Sequence, residues 1–149
     1  MTAENVAQRW YAKGYWRRET LWQSLEAAAA KAGSHAAILD KEGELSLGDF
    51  LLRARRIAGA LGQTGLVAGD LVLVQSRNRI DAYAALVACF AGGYVAAPVP
   101  PMFSARQVTE IVAAAGVRAL VLFDSDIDGV TRGLAEQGSP MPLVFVPDA

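Results

Sequence analysis

The chain has one cysteine and one histidine in 149 residues. Cys89 alone closes no internal disulfide. That excludes a disulfide-stapled secreted scaffold and fits a reducing compartment, the cytoplasm. His35 and Cys89 together do not build a Cys/His zinc site within one chain. A Ser-His-Asp or Cys-His mechanism would have to run through His35 alone. Charge of one sign is lacking too: 14 Lys and Arg stand against 15 Asp and Glu, a net charge of -1. No basic excess draws the chain to phosphate backbones or anionic lipid, so neither nucleic acid nor membrane is an expected partner. The first residues carry Glu4 and no apolar stretch follows, which is not a secretory signal.

What is present is apolar. Hydrophobic residues make up 53% and charged residues 19%, too apolar for a disordered chain. The length suits about one domain. From Ala82 to Ala105 there is no charged residue. Hydropathy alone would make that run a membrane span. Gly92-Gly93 and the prolines at 98, 100 and 101 instead divide it into a buried helix, a turn and a buried strand.

The N-terminal stretch concentrates aromatic residues: Trp10, Tyr11, Tyr15, Trp16 and Trp22. Such a cluster serves as a ligand platform, an interface anchor or an arm packed on the domain, and the last reading is favoured. Residues 1–33 are therefore read as an aromatic arm and first helix, and residues 34–149 as the α/β unit on which they pack. Thr20 is placed to cap a helix that ends at Gly33.

From there strands and helices alternate. A short strand is expected over 36–39, a turn over 41–44 and an extended piece over 45–47. Ser46 opens a helix from Leu47 to about Gly62, with Phe50, Ala54, Ile57 and Leu61 at helical spacing. Arg53, Arg55 and Arg56 read as its solvated side. Residues 70–74 form an apolar strand of the parallel-sheet type. Helices are expected over 80–90, 105–115 and 130–137, and strands over 94–99, 118–123 and 142–146. The fold class is α/β: a mostly parallel sheet with helices on both faces, built from repeated βαβ units.

Open parallel sheets bind ligands at the carboxyl ends of their strands. There the sequence offers Gln75, Ser76, Arg77, Asn78 and Arg79, which suit a carboxylate or phosphate as well as an ordinary helix-capping loop. Gly-x-x-x-x-Gly-Lys-Ser/Thr is absent, and Gly59, Gly62 and Gly65 have the wrong spacing for a dinucleotide fingerprint. Asp124, Asp126, Asp128 and Gly129 fill the early positions of a calcium loop. Its twelfth position is Ala135, and acids before a helix are favourable without any metal. Cys89 reads as a small buried hydrophobe. Read from its residues alone, the chain yields a fold class and no catalytic residue, no cofactor-binding residue and no metal ligand.

Two stretches taken in order resemble a family. The first is Leu45-Ser-Leu-Gly-Asp-Phe50, a helix ending Ala58-Gly-Ala-Leu61, then Gly65-Leu-Val-Ala-Gly-Asp-Leu-Val-Leu-Val74. The second is Asn78 followed by Ala85-Leu-Val-Ala-Cys-Phe-Ala-Gly-Gly-Tyr-Val-Ala-Ala-Pro-Val-Pro-Pro101. Together they are similar to the N-terminal part of the adenylate-forming enzymes: acyl- and aryl-CoA ligases, luciferases and peptide-synthetase adenylation domains. In the family's opening motif, Ser46 stands for Thr, Leu47 for Tyr, Asp49 for Glu and Phe50 for Leu. The later motif lacks its Lys, and Pro98 follows two alanines. Tyr11, Gly14, Tyr15 and Trp16 lean toward stand-alone acid–CoA and aryl-acid ligases.

The resemblance implies that a longer parent activates a carboxylic acid with ATP and magnesium. It then passes the acyl group to a coenzyme A or carrier-protein thiol. The family's phosphate loop, ribose-binding Asp, acid pocket and catalytic Lys come later in its order and have no counterpart here. The chain is thus expected to be the first subdomain, inactive alone, with no cofactor of its own. The parent's remaining subdomains are its expected partners, and self-association of the fragment is possible. The rival is a complete small α/β module that binds a nucleotide or protein at the Gln75–Arg79 loop.

Overall fold

The computed structural model describes residues 3–35, 37–41, 43–123, 125–138 and 142–145. The elements in chain order are α1 (Ala3–Ala12), α2 (Leu21–Ala32), β1 (Ala37–Leu39), β2 (Glu44–Ser46), α3 (Leu47–Gly62), β3 (Leu71–Gln75), α4 (Ile80–Gly92), β4 (Val95–Val99), α5 (Ala105–Ala115), β5 (Ala119–Leu122), α6 (Ile127–Glu136) and β6 (Leu143–Phe145). β3 to β6 form one parallel sheet in the order β4-β3-β5-β6. β1 and β2 form a separate antiparallel pair, with Ile38 opposite Leu45.

Alternation along the strands builds the layers. Val72, Val74, Ala119 and Val121 pack with Leu61 of α3 and Ala82, Ala85 and Cys89 of α4. Leu73, Leu120 and Leu122 point the other way, to Val108 and Val112 of α5 and Val130 and Leu134 of α6. Successive side chains of a strand face opposite sides, so a strand buried on both sides reads as an unbroken apolar run. The expected helices on both faces are thus in place. A third cluster joins Phe50, Leu51 and Ala54 of α3 to Ile80 and Ala84 of α4, with Trp22, Leu25 and Ala29 of α2 packed on it.

α4 therefore has a core on two sides, the sheet on one and α3 with α2 on the other. This explains the uncharged run over 82–105. The run is a helix ended by Gly93 in the left-handed region at φ 72°, then strand β4, which is not buried as expected but half-exposed because it lies at the edge of the sheet. No helix among the described residues is long and apolar enough to cross a membrane. Gly92 is required for a different reason. A Cβ there would lie 2.3 Å from Cε2 of Tyr94, whose ring folds back under the end of the helix.

Caps set most of the helix starts. Thr20 and Ser104 each complete a capping box, with Gln23 and Gln107. Ser46 accepts from the Asp49 amide and opens α3, as the sequence indicates, while Leu47, expected to be extended, is already helical. α6 begins three residues before its expected start because Asp126 Oδ1 accepts from the Gly129 amide at 2.9 Å. α1 is a helix where the sequence suggested only an arm. Beyond it the rings pair: Trp10 with Tyr15, and Tyr11 edge-on to Trp16, both at 5.6 Å between centroids. Ala36 and Val146, assigned to strand ends, lie outside the described residues.

Candidate functional site

The strand order fixes where a site can form. The chain runs from β3 to its neighbour β4, then crosses to β5 on the other side of β3. Connections depart in opposite directions at the carboxyl ends of β3 and β5, which opens a crevice there.

Gln75, the last residue of β3, occupies that point and is 2% exposed. Its Nε2 donates to Pro100 O at 3.3 Å and Phe103 O at 2.8 Å. Its Oε1 accepts from Ser125 Oγ at 2.9 Å. One buried amide thus holds the loop after β4 and the loop after β5. The buried polar group is satisfied on both its donor and acceptor sides, as its burial requires. The sequence places Gln75 in a loop that suits an anion or an ordinary helix cap; the structure gives it to the scaffold.

The loop after Gln75 is pinned from elsewhere. The Ile80 amide donates to Asp40 Oδ2 at 2.7 Å, tying the start of α4 to the β1–β2 hairpin. The Arg79 guanidinium stands 5.3 Å from the Phe123 ring centroid and donates to Asp81 at 3.4 Å. Arg53 of α3 also pairs with Asp81. Arg55 pairs with Glu26 of α2 and covers the Trp22 ring. Two of the arginines read as a solvated side therefore fasten α3 to its neighbours.

What remains open is the space beside Ser76, Arg77 and Asn78. A cavity of about 270 Å³ is lined by Val74, Pro98 and Val99 of the sheet and by Ala82, Tyr83 and Leu86 of α4. A shallower one of about 460 Å³ continues past Pro100 and Pro101. The walls are apolar and the rim is polar, which suits an apolar body with one polar or anionic end. Among the described residues that line these two cavities there is no carboxylate, lysine, histidine or cysteine. Arg77 is a cation that suits a phosphate, but none of these described residues is an acid to hold magnesium, so they do not by themselves fit ATP–magnesium.

The other candidates fall away from the crevice. His35 is exposed beyond the end of α2, its amide bonded to Ala32 O at 3.3 Å. Cys89 is buried against the sheet, and burial pushes its thiol up to about 11. A thiol so protonated is a packing group, as the sequence indicated. Of the acids before α6, Asp126 is spent as the cap and Asp128 lies in the first turn. Asp124 lies outside the described residues. Among the described residues no group of three or more His, Cys, Asp or Glu is placed to hold a metal ion.

Comparison with known proteins agrees with this architecture. The family model described as AMP-binding enzyme matches residues 25–145. A salicylyl-CoA synthase / salicylate adenylyltransferase of Streptomyces sp is 27% identical over 147 residues, covering 96% of this chain and 27% of that protein. A salicyl-AMP ligase / salicyl-S-ArCP synthetase of Mycobacterium tuberculosis is 31% identical over 123 residues, covering 79% of this chain and 22% of that protein. The crystal structure of VinN superposes with a TM-score of 0.69 at 20% identity, covering 87% of this chain and 34% of that one. The chain thus spans about a quarter of the length of these curated relatives. With its family match, its parallel sheet and its solved neighbours in agreement, the chain belongs to the AMP-binding enzymes and carries the fold of the N-terminal subdomain of the adenylate-forming superfamily.

Proposed function

We propose that this chain is the N-terminal structural part of an ATP-dependent ligase that activates a carboxylic acid. The whole enzyme forms an acyl- or aryl-adenylate and passes the acyl group to a coenzyme A or carrier-protein thiol. The family match supports the chemistry, and relatives named for salicylate support an aryl acid. The observation that carries the fragment reading is the crevice itself. It has walls and a polar rim, but among the described residues lining it Arg77 is the one cation to meet a phosphate and no carboxylate is there to hold magnesium. ATP and magnesium belong to the whole enzyme, and this chain holds no cofactor by itself.

Residues 1–33 act as an arm and first helix on the unit 34–149, and the remaining subdomains of the enzyme are its partners. Exposed Tyr83, Phe90, Val95 and Met102 are the surface those partners cover. The same surface drives self-association of the chain alone. A cytoplasmic location suits the ATP requirement. The test is pyrophosphate exchange with the isolated chain, ATP, magnesium and a panel of aryl and alkyl acids. No exchange above blank is expected; exchange by the pure chain overturns the reading.

A second reading rests on the cavity beside Ser76, Arg77 and Asn78. There the chain would be a complete small nucleotide-binding or interaction module. Calorimetric titration with ATP, AMP and coenzyme A separates the two, since only the module binds one of them saturably.

A further inference from the structure

β4 is an edge strand: β3 lies on one side of it and no strand among the described residues lies on the other. Its backbone groups can be assigned a direction. The Val95 amide donates to Asp70 O at 2.9 Å, and Val95 pairs with Leu71 in parallel register. In a parallel pair alternate residues turn their N–H and C=O to the same neighbour. Ala97 and Val99 therefore also face β3, whereas Ala96 and Pro98 face away. Of these two outward residues Pro98 has no N–H to give. Pro100 lies beyond the end of the strand, and its carbonyl accepts from Gln75 on the β3 side.

We infer that Pro98 closes this side of the sheet to strand addition. An incoming strand needs alternating donors and acceptors along the edge, and here the only donor of β4 it meets is the Ala96 amide. Edge strands with a full row of unpaired N–H groups template aggregation, and proline at outward positions is one of the few devices that prevents it. β4 is exposed enough to need such a device, since Val95 at its start is 51% exposed. The consequence concerns partners. Whatever covers Tyr83, Val95 and Met102 does so by side-chain packing from a helix or loop, never by extending the sheet at β4. The inference is independent of the proposed ligase chemistry.

The experiment is amide exchange and sedimentation on the intact chain, from dilute to concentrated solution. The Ala96 amide is expected to exchange at the same fast rate throughout, even where the chain associates. The variant Pro98→Val restores the missing outward donor. It is expected to keep its circular dichroism and to associate roughly fivefold more tightly, with new concentration-dependent protection at 96 and 98. Protection of Ala96 in the concentrated wild-type chain overturns the inference. So does a folded Pro98→Val variant that associates no more than wild type. If that variant fails to fold, Pro98→Ala carries the same comparison, and the Ala96 measurement needs no variant.

Discussion

Ser125 Oγ donates to Gln75 Oε1 at 2.9 Å across fifty residues of sequence. This bond and the two donated by Gln75 make the carboxyl ends of β3, β4 and β5 one mechanical unit. The crevice of this family fold is therefore set by an amide that touches no open cavity wall.

Gln75→Leu is expected to remove the donor to Phe103 O, while Pro100 O keeps the Phe103 amide and Ser125 Oγ keeps Phe123 O. A loss of about 1–3 kcal/mol follows from the unmade hydrogen bonds. For a chain of this size that lowers Tm by roughly 2–12 °C, read by thermal denaturation. A melting temperature unchanged from wild type would show that the two loops are held by something else.

Gly92→Ala is expected to destabilise by about 1–3 kcal/mol through overpacking against Tyr94. The same substitution placed in a Tyr94→Ala background should cost almost nothing, because the ring that meets the Cβ is gone. A double-mutant cycle by urea denaturation measures the coupling. Additive effects would mean that Gly92 is there for its backbone and not for the ring.

Cys89 links stability to alkaline pH. Burial raises its thiol from 9.0 to about 11, so the folded state keeps a proton that the unfolded state has released. That difference leaves stability unaffected below pH 9.0 and erodes it as pH rises from 9.0 toward 11. Cys89→Ala should lose this slope, as seen in urea midpoints across the range. Thiol labelling of the native chain at neutral pH should proceed only through opening of α4.

Ser104→Ala removes the cap of α5 and half of its capping box with Gln107. About 1 kcal/mol is expected to be lost. Gln107→Ala alone should cost less, since Ser104 still accepts from the amide three residues on. Equal losses from the two changes would show that the reciprocal bond of Gln107 matters as much as the cap.

Much of the fold was legible because its signals are local. Caps at Thr20, Ser46 and Ser104 and glycine stops at 33, 93 and 116 mark the helices within one or two residues. The start of α6 is not legible locally, because Asp124, Asp126 and Asp128 are equal candidates for its cap and the fold selects Asp126. Helix α1 stands beside an aromatic cluster whose sequence suits an irregular arm equally well. The polar loop after β3 was found from its sequence, but not the division of labour within it. Whether Gln75 faces a ligand or two carbonyls depends on where residues 25 and more positions away come to rest.

The sequence by itself determined the class of the molecule. Apolar runs of strand length alternating with amphipathic helices leave a parallel sheet between two helical layers as the way to bury both strand faces. The family motifs, taken in order, placed that sheet among the adenylate-forming enzymes. Only the tertiary structure decided which groups are spent on structure and which remain open. It turned Gln75 inward, used Asp126 as a cap, paired Arg53 and Arg55 across helices, and aimed the backbone of Pro98 in β4 away from the sheet. Such assignments depend on contacts between residues far apart in the chain, and no local pattern encodes the partner a side chain meets after the sheet is assembled.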